Sequence, residues 1–271
     1  MPHIDLLVLA IVQGVTEFLP VGASGHTILL ADIFCWPTGN PVIMLANDLG
    51  LILALALYFW RHVLGLGQGL LQVIKRKRDP RSRLLGYLLL GGLPSAMITI
   101  ALQIVLADSV TMPAMIATML IAFGVLLYLA DRLGLTVRRI EHLSFGNALL
   151  IGLVQCFDVM PGVSRLGIAF TAARILGFER LEAARFALLL GLPSGVIFIL
   201  YQIYRIVFSP VPLDWSGSIL ALICTFIAGF LAISFLMYWL RRANVAPFVL
   251  YRLGLGLYLL YFLYHLSALG C

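Results

Sequence analysis

Twice in this chain an apolar stretch is broken near its middle by proline, glycine, serine and charge. The first runs Ile4–Ile33 and is broken at Leu19-Pro20-Val21-Gly22-Ala23-Ser24-Gly25-His26. The second runs Gly146–Leu176 and is broken at Met160-Pro161-Gly162-Val163-Ser164-Arg165-Leu166-Gly167. Proline removes a helix hydrogen bond and glycine loosens the backbone, so a continuous helix through either cluster is disfavoured. Non-helical backbone at membrane depth persists only where protein or enclosed water satisfies it. Both stretches therefore read as re-entrant helix–loop–helix hairpins.

The rest of the chain agrees with a bilayer as solvent. Of its 271 residues, 62% are hydrophobic and 11% charged, against roughly 45–50% and about 25% in soluble domains. Six further runs are long enough to cross about 30 Å of hydrocarbon. They lie near Val42–Trp60, Leu84–Leu106, Pro113–Leu133, Arg185–Val207, Ser218–Leu240 and Ala246–Leu266. The net charge of +6 would suit nucleic acid. The basic residues instead gather in short loops between spans, as the positive-inside rule expects, so no nucleic-acid partner is inferred. The scattered Cys35, Cys156, Cys224 and Cys271 form no CxxC pair. They read as small apolar side chains rather than zinc ligands or a disulfide framework. The opening Met-Pro-His-Ile-Asp has no basic n-region, so no removable signal peptide is expected.

Loop charge sets the topology. Arg61, the run Lys75, Arg76, Lys77, Arg78, Arg81 and Arg83, then Arg132, Arg138 and Arg139, then Arg174, Arg180 and Arg185, and finally Arg241 and Arg242 mark cytoplasmic segments. The Asp108–Met112 turn and the Ser209–Gly217 loop carry no Lys or Arg and fall outside, as do both termini. The first hairpin then enters from outside and the second from inside. The chain reads as an all-α integral membrane protein, one membrane domain over 1–271. It has an inverted-topology repeat, about 1–134 and 143–271, each half a re-entrant helix-loop-helix plus three transmembrane helices. Such repeats place polar sites near the bilayer midplane, where the broken helices meet. Eight simple spans are the alternative, but they would leave His26 and Arg165 in mid-helix and the Pro/Gly clusters unexplained.

Gln13 and Glu17 lie four apart on one helical face, before the first break. Glu17 and His26 flank that break, and Arg165 closes the second. Ionisable groups in an apolar stretch are costly and need partners. The Arg165 guanidinium suits bidentate binding of a phosphate. Gly25, Gly162, Ser24 and Ser164 would let backbone N–H groups and hydroxyls approach an anion, beside the dipole of a helix N-terminus. If the tips meet, carboxylate, imidazole, guanidinium and hydroxyls converge in a pocket suited to phosphoryl transfer. The plainer readings stay open: Glu17 and Arg165 as a structural ion pair, His26 as a hydrogen-bonded helix residue, Ser24 and Ser164 as helix caps. Asp158 either pairs with Arg165 or lines the pocket, and Asn47-Asp48 faces the bundle interior.

Gln13-Gly14-Val15-Thr16-Glu17-Phe18-Leu19-Pro20-Val21, followed two residues later by Ser24-Gly25-His26, resembles the first signature of the undecaprenyl-diphosphate phosphatases, the bacitracin-resistance family. Pro161-Gly162-Val163-Ser164-Arg165 with Gly167 resembles the second. Tyr58-Phe59-Trp60-Arg61, Gly91-Gly92-Leu93-Pro94 and Arg185–Pro193 extend the likeness over nearly the whole chain. The resemblance implies a hydrolase that converts undecaprenyl diphosphate to undecaprenyl phosphate at the bacterial inner membrane. That recycles the carrier lipid for cell-wall synthesis and confers bacitracin resistance. It implies catalytic roles for Glu17, His26 and Arg165: Arg165 gripping the diphosphate, Glu17 holding a divalent cation (Mg²⁺ or Ca²⁺) or orienting water, and His26 acting as base or nucleophile. It also implies substrate contacts from Gln13, Ser24, Gly25, Gly162, Ser164 and Arg165. The sequence leaves open whether the chain forms a homodimer.

The chain departs from that pattern at four hydroxyl positions. Gly22 and Ala23 stand where the family usually has serines, Leu166 replaces a serine and Ala169 a threonine. Asp48 stands where a neutral polar residue or histidine is common. Each lost hydroxyl removes a hydrogen bond worth roughly 0.5–1.5 kcal/mol. The rival function is a non-catalytic polyprenyl-phosphate binder or transporter on the same fold.

Overall fold

The computed structural model describes residues 3–36, 40–75, 79–106, 113–134, 136–208 and 214–266. The expected outer turn Asp108–Met112, most of Ser209–Gly217, and Arg76, Lys77, Arg78 and Cys271 lie outside the described residues.

Both broken stretches are short helix pairs. The first consists of α1 (His3–Glu17) and α2 (Ala23–Phe34). α3 (Pro41–Tyr58), α4 (Trp60–Ile74), α5 (Pro80–Leu106) and α6 (Pro113–Leu133) follow. The second pair is α7 (Phe145–Gln155) and α8 (Arg165–Ile175), linked by a 3-10 turn at Cys156–Val159. The four arms have 15, 12, 11 and 11 residues. At about 1.5 Å per residue even the longest reaches only about 22 Å, short of the roughly 30 Å hydrocarbon layer. Then come α9 (Arg180–Phe208), α10 (Trp215–Leu240) and α11 (Ala246–Leu266).

Among the described residues, α3, α5, α6, α9 and α10 are the five helices long and apolar enough to cross a membrane. This is a multi-pass membrane protein. The sixth expected span is α11, whose described apolar stretch, Ala246–Phe262, is shorter. Leu200, Ile227, Leu231 and Leu257 are exposed on the outer faces, as a lipid-facing surface requires. Caps start several helices. Asn40 accepts from Val42 N at 2.9 Å ahead of Pro41, and Asp214 accepts from Gly217 N at 2.9 Å.

The segment after Arg61 was expected to be a loop and is instead mostly helix α4. At 15 residues it is too short to span, but Trp60, Leu64 and Leu71 form an exposed apolar surface. Its Gly69 sits so close to α5 that a Cβ there would lie 2.9 Å from the Arg81 carbonyl. The cysteine reading also needs correction. Cys156 and Cys224 are free, but Cys35 is disulfide-bonded. A single bridge depends on approach in space, which spacing along the chain does not reveal.

α1 packs on α10 as α7 packs on α5, and α3 packs on α10 as α9 packs on α5. α3 meets α9 and α6 meets α11 across the bundle. The two Gly-x-Pro-containing segments cross at α5 and α9: a Cβ on Gly92 would lie 2.5 Å from Pro193. Ser95 and Ser194 follow these prolines and donate back to the carbonyls of Gly92 (3.0 Å) and Leu190 (2.8 Å), so both buried hydroxyls are satisfied within their own helices. The end of α8 is tied down by Arg174, counted above among loop charges but buried. It pairs with Asp131 of α6 at 3.2 Å, and Asp131 also receives Arg180 at 2.7 Å.

Candidate active site

The hairpin tips meet. Gly22, ahead of α2, and Gly162, ahead of α8, both have φ of 92°, a region that only glycine occupies freely. A Cβ on Gly22 would lie 2.7 Å from the Gly162 carbonyl oxygen, and one on Gly25 would lie 3.1 Å from Gly162 Cα. Ser164 caps α8, accepting from Gly167 N at 3.1 Å, and its hydroxyl reaches the Leu19 carbonyl of the other tip at 3.3 Å. Arg252 of α11 is buried, at 1% exposure. It donates to the carbonyls of Pro20 (3.3 Å) and Gly162 (2.9 Å), one from each tip, and to Leu120 and Met119 of α6 (3.2 and 3.5 Å). Gly25, Gly162 and Ser164, expected as substrate contacts, thus carry the crossing of the tips.

One cavity of about 390 Å³ lies beside the crossing. Gln13, Glu17, Ser24, Asp48, Asp158 and Arg165 are among its lining residues. Arg165 opens α8 and is held on three sides. Its Nε donates to Asp158 Oδ2 at 2.7 Å, its Nη1 lies 3.5 Å from Glu17 Oε1, and its guanidinium carbon stands 4.4 Å over the Phe198 ring. The side chains of Arg165, Glu17 and Asp158 are 26%, 17% and 12% exposed. A smaller pocket of about 40 Å³ continues past Glu17, Asp48 and Arg165 to Leu166.

Above this charged floor the walls turn neutral. Gln13 Oε1 accepts from Asn47 Nδ2 at 2.9 Å, and Asn47 Oδ1 accepts from the Thr225 hydroxyl at 2.9 Å. Leu6, Leu9, Ile28, Ile43 and Met44 supply apolar wall, and Asn40, Gln103 and Gln202 also line it. The Ser24 hydroxyl and Gln202 Oε1 are buried there without a hydrogen-bond partner.

The expected trio is only partly assembled. Glu17 and Arg165 converge, but His26 is not among the residues lining the cavity. Its Nδ1 lies 2.6 Å from the Gly22 carbonyl and its Nε2 lies 2.7 Å from the Tyr251 hydroxyl. A carbonyl only accepts, so Nδ1 carries a proton, and in the neutral imidazole Nε2 then accepts from the Tyr251 hydroxyl. The imidazole faces α11 because Ala23, Ser24 and Thr27 occupy the cavity side of α2. Asp158 does both things left open for it: it pairs with Arg165 and lines the cavity. Phe198, Gln202 and Arg252 were not anticipated. Arg252 had a signal, a lone charge inside an apolar run.

Glu17, Asp48 and Asp158 offer the hard oxygens that Mg²⁺ or Ca²⁺ takes. Among the described residues no three such side chains stand close enough to form a ready-made ligand cluster, so further oxygens would have to come from substrate or water.

A family model described as "Bacitracin resistance protein BacA" matches residues 6–258. The chain belongs to this family. It is 40% identical to "Undecaprenyl-diphosphatase 1" of Rhodospirillum rubrum, covering 95% of this chain and 94% of the relative. It is 35% identical to "Undecaprenyl-diphosphatase" of Erythrobacter litoralis, covering 97% and 100%, and 35% identical to that of Geotalea daltonii, covering 94% and 96%.

Seen as a BacA-family chain, its departures have different physical standing. Gly22 is required where it stands, by its positive φ and by the Gly162 carbonyl against it. Ala169 is buried in the core, and Leu166, also buried, lines the smaller pocket. Ala23 alone of the four lines the large cavity, where a hydroxyl could reach a ligand.

Proposed function

We propose that this protein hydrolyses undecaprenyl diphosphate to undecaprenyl phosphate and inorganic phosphate. The observation that carries this reading is the Arg165 guanidinium held by Asp158 and Glu17 on the floor of a membrane-embedded cavity with apolar walls. The diphosphate would meet Arg165, and Leu6, Leu9 and Ile43 would take the first units of the prenyl chain. Gln13 and Ser24 are the polar wall residues proposed to contact the phosphates.

In the reaction, water oxygen bonds to the terminal phosphorus, and the bond from that phosphorus to the bridging oxygen breaks. Lipid monophosphate leaves, and the water proton passes to a cavity carboxylate, Glu17 or Asp48. Arg165 neutralises charge on the phosphoryl oxygens, and its fixed position is what phosphoryl transfer chiefly needs. A divalent cation, Mg²⁺ or Ca²⁺, held by Glu17 and Asp48 with phosphate oxygens, would supply further charge neutralisation. Three carboxylates around one arginine favour such a cation, because a diphosphate alone would be repelled.

Asn40 at the start of α3 and Gln103 and Gln202 near the ends of α5 and α9 line the cavity, at the helix ends that loop charge assigns to the outside. This supports a cavity open to the outer face of the bacterial inner membrane, with both termini external and the lipid returned to cell-wall synthesis. The packing pairs that map onto one another when the halves are exchanged support the inverted repeat.

Purified protein is expected to release phosphate from undecaprenyl diphosphate with Mg²⁺ or Ca²⁺, and Glu17→Ala to lower kcat by about 10²-fold. Lipid binding with release no higher than from a mock membrane preparation would favour the binder or transporter. Ala23→Ser is expected to raise kcat/KM by about 2- to 10-fold, the value of one added hydrogen bond. Initial rates with the two proteins side by side measure it.

A further inference from the structure

We propose that Asp158 is a positioning residue for Arg165, holding the guanidinium so that its free N–H groups face the phosphoryl group. The proposal deepens the phosphatase reading and rests on it. An arginine head has five donors in one plane. Here Nε is taken by Asp158 at 2.7 Å, Nη1 leans toward Glu17 at 3.5 Å, and Phe198 covers one face at 4.4 Å. The Asp158 contact is the shortest and lies on the Nε edge. It therefore fixes rotation about the end of the side chain, with Nη1 toward Glu17 and the Nη2 group left for the phosphoryl oxygens. Asp158 sits in the 3-10 turn Cys156–Val159 and Arg165 opens α8, so one ion pair spans the second hairpin's break. Glu17 alone, at the longer distance and from the other hairpin, would let the head swing.

Reorienting a catalytic group by about 1 Å can cost about 10²-fold in rate. Asp158→Ala is therefore expected to lower kcat by about 10- to 100-fold with KM changed by less than about 3-fold, since the guanidinium charge is kept. Asp158→Asn keeps an acceptor for Nε and should recover activity to within about 5-fold of wild type. In an Arg165→Lys background, which has no Nε donor, Asp158→Ala should have almost no further effect. These kinetics are measured on full-length detergent-solubilised protein, with thermal melting recorded for each variant. An unchanged kcat in Asp158→Ala overturns the proposal, as does Asn behaving like Ala, or full additivity with Arg165→Lys. A lowered KM with raised kcat/KM in Asp158→Ala also overturns it, since that marks an acid that merely repels the anion. If Asp158→Ala fails to fold, active Asp158→Asn carries the test, and loss of activity there without loss of melting temperature counts against positioning. Inactive wild type would instead remove the phosphatase reading itself.

Discussion

Arg165→Ala is expected to cut phosphate release by about 10³-fold or more, a loss typical of deleting a charge-stabilising donor in phosphoryl transfer. Two effects add. The phosphoryl group loses its fixed cation, and Glu17 and Asp158 lose the charge that pairs them, at 3.5 and 2.7 Å. Uncompensated acids would then repel the substrate. Arg165→Lys separates the effects, because it keeps a positive charge but loses the planar fork. It should bind substrate better than Arg165→Ala while its kcat stays well below wild type. Phosphate release together with binding of a non-hydrolysable diphosphate analogue measures both quantities. Arg165→Ala retaining more than about a tenth of wild-type kcat would remove Arg165 from the chemistry.

Gly22→Ser, the change that restores the residue usual in the family, is expected to damage the protein. Position 22 has φ of 92°, which costs a residue with a Cβ about 1–2 kcal/mol. The new Cβ would also lie 2.7 Å from the Gly162 carbonyl oxygen, a backbone atom that cannot swing away. That carbonyl is the one Arg252 holds at 2.9 Å, so pushing it aside loosens the whole crossing. A lowered melting temperature in detergent and a fall in kcat of about 10-fold or more are expected. Ala23→Ser, one residue further along, should do neither. Equal stability of Gly22→Ser and wild type would show that the tips have room to separate. The contrast between neighbouring positions separates a departure imposed by packing from one that affects only the ligand.

Much of the site was legible because membrane burial makes each polar residue costly. Glu17 and Arg165 stood out as charges beside breaks in apolar stretches, and the structure joins them. Asp48 could be placed toward the bundle interior for the same reason. His26 was as conspicuous, yet it pairs with Tyr251 and Gly22 instead. Its side of α2 depends on the rotation of a short helix whose apolar residues surround it, and no amphipathic face announced that rotation. Phe198 gave no signal at all, since one aromatic in an apolar span is ordinary. Helix α4 was missed because its apolar residues cover one face only, too few to count as a span.

The amino-acid order is enough to settle the solvent of this protein, its helical class, and the two places where helix must break. Those follow from local chemistry, in which apolar length selects the bilayer and proline with glycine interrupts hydrogen bonding. Which polar groups share a cavity is settled by packing in three dimensions. That depends on the glycine-to-glycine crossing of the tips and on Arg252 bridging carbonyls from segments far apart in the chain. Each of those contacts joins a particular glycine or the Arg252 guanidinium to a carbonyl on a distant segment, and which carbonyl it meets is set by how the helices pack, not by its neighbours along the chain.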